Sequence, residues 1–262
     1  MRKPILSPTR LTTYLACPVK YRWTFVDPRG KVFQRAKWYY SFGTSLHRAL
    51  EELYKGEHTG VPVVAEAVER LEENWVSAGY VSPDEAEEAL AEGRSIISSF
   101  VEAEVGRAKE VEVLDVERRI QLDMGEYVLL GVLDRINRLD DETIEVVDYK
   151  SLREGTTEDD VRYDVAMNVY QILVRSVFPA NRYFSTIIAL RTGEATSVEV
   201  TEDEVSEFRV ALDRLASEIL NREFQEIEPR PKAICRSCDF LRLCRKHPDF
   251  EEAFAAFEPV EG

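Results

Sequence analysis

At 262 residues, with 44% hydrophobic and 10% aromatic residues, the chain carries enough apolar material for one large domain with a real core, which excludes global disorder. No apolar run approaches the roughly 18 residues of a membrane span and the N-terminus lacks a secretory apolar stretch, so a soluble cytoplasmic protein with no membrane partner is expected. Taken as a whole, the net charge of −15 argues against a nucleic-acid-binding protein.

The distribution of that charge argues otherwise. Residues 1–37 hold nine Lys and Arg against one acid, Asp27, and residues 229–247 hold six against Asp239. The acids gather in 66–73, 84–92 and 199–207. A screened field decays over about 8–10 Å at physiological salt, so local patches outweigh the total. Alone, the two basic stretches are equally well explained as ordinary solvated faces.

Ser7-Pro8 has the form of a helix start, and Leu11, Tyr14 and Leu15 follow at helical spacing. Cys17-Pro18 ends or bends that helix, Tyr21, Trp23 and Phe25 supply aromatic packing, and 26–41 reads as a basic loop. A helix is expected over 42–55, opened by Gly43-Thr44-Ser45 and followed by Gly56, with Leu46, Ala49, Leu50 and Leu53 as its apolar stripe. His47 falls at the edge of that stripe. A lone histidine there is more often a satisfied residue than a ligand, and only nearness to Asp134 and Asp148 would reverse this. Residues 60–109 read as an acidic helical insertion of two helices, opening at Pro62 and at Ser82-Pro83-Asp84-Glu85. The pattern turns to strands at Glu110, with 111–122, 127–139 and 143–151 separated by turns at 124–126 and 140–142. A polar loop (152–163), a helix (165–177), two antiparallel strands (183–190 and 195–200) and a helix from Thr201 to about Asn221 follow. This order describes a mixed α/β core with helices on the sheet faces.

The hairpin of 127–139 and 143–151 is the stretch the rest serves. Asp134 lies on its first strand and Asp148 on its second, and Lys150 follows Asp148 at i+2, on the same strand face. Two acids and an amine converging on a buried hairpin call for a cation between them. Carboxylates are hard ligands suited to Mg²⁺ or Mn²⁺.

The four cysteines stand as Cys17 alone and Cys235-x2-Cys238-x5-Cys244. In a reducing compartment such spacing points to metal rather than disulfide, and four thiolates suit tetrahedral Zn²⁺ or an iron–sulfur cluster. His58 and His247 do not improve the fit. Joining Cys17 to Cys235 clasps the two chain ends and, treated as a cross-link, contributes roughly 5 kcal/mol before strain. It also draws residues 1–37 and 222–250 into one cysteine-cluster region, where the basic stretches could form one phosphate-binding surface.

With Gly43-Thr44-Ser45-Leu46-His47, Gly131-Val132-Leu133-Asp134-Arg135-Ile136, Val147-Asp148-Tyr149-Lys150-Ser151, Gln171 and the one-plus-three cysteines in this order, the chain resembles the RecB-like PD-(D/E)XK nucleases, and within them the iron–sulfur branch found among CRISPR-associated adaptation exonucleases and the nuclease ends of bacterial helicase–nucleases. The resemblance implies a single nuclease domain over 1–262, with a restriction-endonuclease-like mixed sheet. It implies His47, Asp134, Asp148 and the Tyr149 carbonyl as metal ligands, Lys150 as the catalytic lysine and Gln171 as the helix glutamine beside the site. Glu117 falls near an additional acid of some members. Where the family often has tyrosine, four residues after that glutamine, this chain has Arg175, a residue able to bind phosphate. The implied cofactors are Mg²⁺ or Mn²⁺ and a [4Fe–4S] cluster, with Zn²⁺ as second candidate for the thiols. The implied activity is hydrolysis of DNA, as an exonuclease on single-stranded or end-bearing substrate, with a helicase or CRISPR adaptation proteins as partners. A catalytically silent DNA-end-binding module is the rival reading, and a zinc-stapled α/β protein with a solvated hairpin is a third. No G-x4-G-K-[ST] loop is present, so unwinding would fall to a partner.

Overall fold

The computed structural model describes residues 3–55, 63–107, 111–151 and 155–257; Gly56, His58, Pro62, Glu110 and 152–154 lie outside the described residues. In chain order the elements are β1 (Ile5–Leu6), α1 (Pro8–Ala16), α2 (Pro18–Tyr21), a π turn at Arg22–Val26, a 3₁₀ turn at Pro28–Phe33, α3 (Trp38–Lys55), α4 (Val64–Glu73) and α5 (Pro83–Arg107). Then come β2 (Glu112–Asp123), β3 (Val128–Asp140), β4 (Thr143–Lys150), α6 (Glu158–Tyr163), α7 (Val165–Arg175), β5 (Arg182–Ala189), β6 (Glu194–Glu199), α8 (Glu202–Leu220), short 3₁₀ turns, α9 (Leu241–Cys244) and α10 (Phe250–Ala255). They divide into two compact units: Ala36–Ala211 with the first five residues, and Leu6–Arg35 with the chain from Leu212 onward.

The larger unit is built on a mixed sheet of order β1-β3-β4-β5-β6, with β2 also paired to β3. β2, β3 and β4 run as an antiparallel meander, in keeping with the two apolar runs and acidic turn of the hairpin. β4 and β5 are parallel, from Thr143↔Arg182 to Lys150↔Ala189, and α6 and α7 make the crossover between them. α7 lies against β2, β3, β4 and β5. Phe42, Leu46, Ala49, Leu50 and Leu53 of α3 form a core with Leu71 of α4 and with Ile97, Phe100 and Val101 of α5. From the sheet, Val147 and Tyr149 of β4 enter that same core.

Two segments differ from the sequence reading. α3 starts at Trp38, inside the expected loop of 26–41, because Lys37 O accepts the Tyr40 and Ser41 amides and Ser41 Oγ donates to Ala78 O at 2.6 Å. Gly79 secures that turn: its φ is +91°, and a Cβ there would lie 2.7 Å from the Lys37 backbone. α6 stands within the expected polar loop of 152–163. Thr157 accepts the Asp160 amide while Asp160 accepts the Thr157 amide, a reciprocal cap that was readable from the spacing.

The smaller unit packs Tyr14, Tyr21, Phe25 and Phe224 as one aromatic cluster, and the Tyr14 hydroxyl donates to Glu218 at 2.7 Å. Its α1 starts as the sequence indicates, with Pro8 in the first turn and Ser7 Oγ accepting the Arg10 amide. No helix among the described residues is long and apolar enough to cross a membrane.

Gly131 is where β3 admits α7. A Cβ at this position would meet Leu173 Cδ1 at 2.5 Å and Tyr170 Cδ1 at 3.1 Å, both from buried side chains. Gly131→Ala is expected to cost about 1–3 kcal/mol in chemical denaturation, the usual range for overpacking. Combined with Leu173→Ala, it should destabilise by less than the sum of the two single variants, because they share one space.

Candidate active site

The ladder of the meander is interrupted at one level. Between β3 and β4 it ends at Arg135↔Val147, so Asp134 and Asp148 are the first residues beyond it. The Asp134 carboxylate takes over from the ladder there, with Oδ2 accepting the Tyr149 amide at 2.8 Å. Between β2 and β3, Val116↔Arg135 and Arg118↔Leu133 are paired while Glu117, opposite Asp134, drops out. Glu117 has φ +47°, a left-handed conformation uncommon for a non-glycine residue in a strand.

His47 of α3 closes the group. Its Nε2 lies 2.9 Å from the Tyr149 carbonyl and its Nδ1 3.4 Å from Asp134 Oδ2. Both ring nitrogens therefore face acceptors. Burial pulls the imidazolium down, but the hydrogen bond to Asp134 and the charges of Asp134, Asp148 and Glu117 outweigh it, and the pKa rises to about 9. One ligand atom each from His47, Glu117 and Asp134 fall within 4.8 Å of one another. Burial, then the Asp134 charge, pushes Glu117 up to about 7.

Asp148 and Lys150 project together from β4, with Lys150 Nζ 2.9 Å from Asp148 Oδ2 and 3.9 Å from Asp164 Oδ2. Lys150 is the cation set against that buried Asp148 oxygen. Burial raises the Asp148 carboxyl, as does Asp134, against Lys150 and His47. For Lys150, burial lowers the ammonium and the charges of Asp148 and Asp164 raise it further, for a net rise. Excess acid in a buried setting and a histidine with both ring nitrogens turned toward oxygens together fit a divalent cation bound by oxygen and, once the imidazole gives up its proton, by nitrogen. His47, Glu117, Asp134 and the Tyr149 carbonyl stand nearest to holding it, with Asp148 on the adjoining strand.

Tyr149 turns into the core, edge-on to Phe100 at 5.6 Å. Beneath it Arg135, itself buried, bonds Glu104 Oε2 at 2.7 Å and the Tyr54 hydroxyl at 2.6 Å, with its guanidinium over both the Tyr54 and Tyr149 rings. Gln171 and Arg175 point elsewhere. The Gln171 amide donates to Phe184 O and Ser185 Oγ of β5. Arg175 bonds Glu202 and the Val200 carbonyl, over the Tyr183 ring. Tyr170, Gln171's neighbour, is the residue of α7 that faces the acids: its hydroxyl is raised by burial and then by Asp148, Asp134, Asp164 and Glu117. Sequence reasoning passed over Tyr170 and Asp164, although an aspartate that caps a helix, as Asp164 caps α7 at the Met167 amide, leaves a readable mark.

The cysteines belong to the smaller unit. Cys17 Sγ caps α2 by accepting the Lys20 amide at 3.5 Å, and Cys235 Sγ accepts the Lys232 amide at 3.3 Å. Lys232 Nζ donates to Ala16 O at 2.8 Å, tying the two segments. Burial raises Cys238 against a hydrogen bond from the Phe240 amide, and it drives Cys244 to about 12 together with the charges of the other three cysteines. A neutral thiol is a weak acceptor, so amides aimed at sulfur suit thiolates held by metal. Among the described residues no three of these sulfurs lie within 4.8 Å of one another.

A family model described as the PD-(D/E)XK nuclease superfamily matches residues 5–245. Over 114 residues the chain is 34% identical to an ATP-dependent helicase/deoxyribonuclease subunit of Streptococcus pyogenes serotype M49 (strain NZ131), a match that covers 42% of this chain and 10% of that protein. The same-named protein of serotype M3 (strain SSI-1) is 33% identical over the same length. The chain thus spans about a tenth of the length of these curated relatives. Among solved structures, the crystal structure of SSO0001 matches at 16% identity and a TM-score of 0.38, covering 94% of this chain and 88% of that one. With a family model running through β1, the site-bearing meander, α7 and all four cysteines, the chain belongs to the PD-(D/E)XK nuclease superfamily.

Proposed function

We propose that the protein is a Mg²⁺- or Mn²⁺-dependent deoxyribonuclease of exonuclease type, acting in the cytoplasm on single-stranded or end-bearing DNA and carrying a structural [4Fe–4S] cluster. The observation that carries the reading is the convergence of His47, Glu117 and Asp134 beside the Asp148–Lys150 pair, at the level where the strand ladder stops. A divalent ion there supplies a bound water of lowered pKa and shields the scissile phosphate. The chain's own residues do the rest. Asp134 orients the Tyr149 peptide so that its carbonyl faces His47. Lys150, kept charged by Asp148 and Asp164, offsets charge that builds on the phosphate oxygens and positions the attacking water.

The cluster reading rests on the amide-to-sulfur bonds and on spacing. A helicase partner is supported by the name of the streptococcal relatives, and a CRISPR adaptation complex only by the sequence resemblance. One observation favours a catalytically silent DNA-end-binding module instead: Arg175 is committed to Glu202 and the Val200 carbonyl rather than to the acids.

Cleavage of end-labelled oligonucleotides in Mg²⁺ or Mn²⁺ decides between the two. Asp148→Ala and Lys150→Ala are each expected to abolish cleavage with the circular dichroism spectrum unchanged, and full activity in either variant removes the mechanism. Glu117→Gln is expected to weaken Mn²⁺ binding in a calorimetric titration; an unchanged isotherm would exclude Glu117 as a ligand. Cys238→Ser should lose iron and brown colour and melt at lower temperature, and retention of both would refute the cluster.

A further inference from the structure

α3 opens on three consecutive aromatic residues that stay in water. Trp38, Tyr39 and Tyr40 are 38%, 43% and 63% exposed. Their rings form a connected array, with Tyr39 4.5 Å from Tyr40 and 5.8 Å from Trp38. The array is rooted in the core. Trp38 leans on Tyr80 at 6.4 Å, Tyr80 stacks on Trp75 at 5.9 Å, and Trp75 meets buried Phe42 edge-on. Core packing does not require the outer rings, since Phe42 and the residues after it already supply the buried stripe of α3.

The helix connects this array to the candidate active site. Tyr40 and His47 are i and i+7, two turns apart on one face, with about 10 Å of rise between them. That is the span of about three stacked bases at roughly 3.4 Å each. Between them lies Gly43, where an added Cβ would meet only Ser151 Oγ at 3.7 Å, so the helix surface is low there and borders the residue after Lys150. Thr44 and Arg48 are exposed on the same side. Past His47 the face turns acidic at Glu51, which Lys55 binds. A polyanion following α3 therefore meets aromatic rings and the Arg48 cation around and before His47, and beyond it only an acid already held by Lys55.

Resting on the nuclease reading, we propose that Trp38, Tyr39 and Tyr40 are a base-stacking platform that holds an unpaired DNA strand and sets its backbone along α3, over Gly43, toward His47. Aromatic side chains stack on any base, but only on bases freed from a duplex, so the platform selects single-stranded substrate without reading sequence.

The test is fluorescence anisotropy of labelled oligo-dT and of a mixed-sequence duplex of equal length, with Ca²⁺ replacing Mg²⁺ to hold off cleavage. Tyr40→Ala is expected to weaken single-strand binding by roughly tenfold or more and to lower the ratio of single-strand to duplex affinity, while Tyr40→Phe holds the wild-type ratio. Trp38→Ala should act in the same direction. An unchanged ratio in Tyr40→Ala, or equal losses in the Phe and Ala variants, overturns the platform. So does a wild-type dimer in light scattering that Tyr40→Ala dissolves with no change in single-strand affinity, since the rings would then seal a protein interface. Wild-type hydrolysis of the base-free diester bis(p-nitrophenyl) phosphate in Mn²⁺ is measured alongside. Turnover of that diester with Tyr40-independent DNA binding removes the platform alone. Tyr40-dependent DNA binding without hydrolysis of any diester removes the nuclease reading alone.

Discussion

One hydrogen bond organises the level of the sheet at which the candidate site sits: the Asp134 carboxylate accepting the Tyr149 amide. A buried strand cannot leave its amides unpaired, so where two strands part, something must take the place of the missing carbonyl. Here the substitute is itself a charged group. The bond commits one side of Asp134 to the fold, brings the Tyr149 carbonyl to His47 and leaves the carboxylate facing Glu117. Stopping the ladder and assembling the site are the same event.

The rest of the larger unit reinforces that arrangement from below. Tyr149 cannot swing, because its ring is packed against Phe100 and lies under the Arg135 guanidinium. Arg135 is fixed in turn by Glu104 and Tyr54, which come from α5 and α3. A buried ion pair contributes little net stability against its desolvation, but removing one partner strands the other charge. Its use here is geometric, since it couples the helix that carries His47 to the strand that carries Asp134. Glu117 fits the same pattern, a left-handed residue held in a strand directly opposite the acid it serves.

Much of this was legible in the sequence. Two apolar runs parted by Asp140-Asp141-Glu142 marked the hairpin, and i, i+2 spacing put Asp148 and Lys150 on one strand face, where Nζ and Oδ2 lie 2.9 Å apart. The nearness of His47 to Asp134, on which the reading of that histidine turned, depends on α3 packing against β2 and the α5 core, and periodicity does not encode that. The conformation of Glu117 left no mark, because no glycine or asparagine announces it. The burial of Arg135 was not readable either, since it depends on Glu104, far earlier in the chain. The early start of α3 was hidden for a related reason, as it relies on Ala78 and Gly79 rather than on a local cap. α6 differs from these, since its Thr157–Asp160 cap was in plain view.

The smaller unit takes its residues from both chain ends, Leu6–Arg35 and Leu212 onward, whereas the larger one is nearly continuous. On a ribosome, which releases the chain from its N-terminus, Tyr14 and Tyr21 emerge long before Glu218 and Phe224 exist to receive them. The aromatic side chains of the early segment must wait without these partners while the sheet and its helices complete themselves. Nascent chains halted before Leu212 would thus hold a finished sheet and an orphaned aromatic arm, which makes that arm the natural client for chaperone capture.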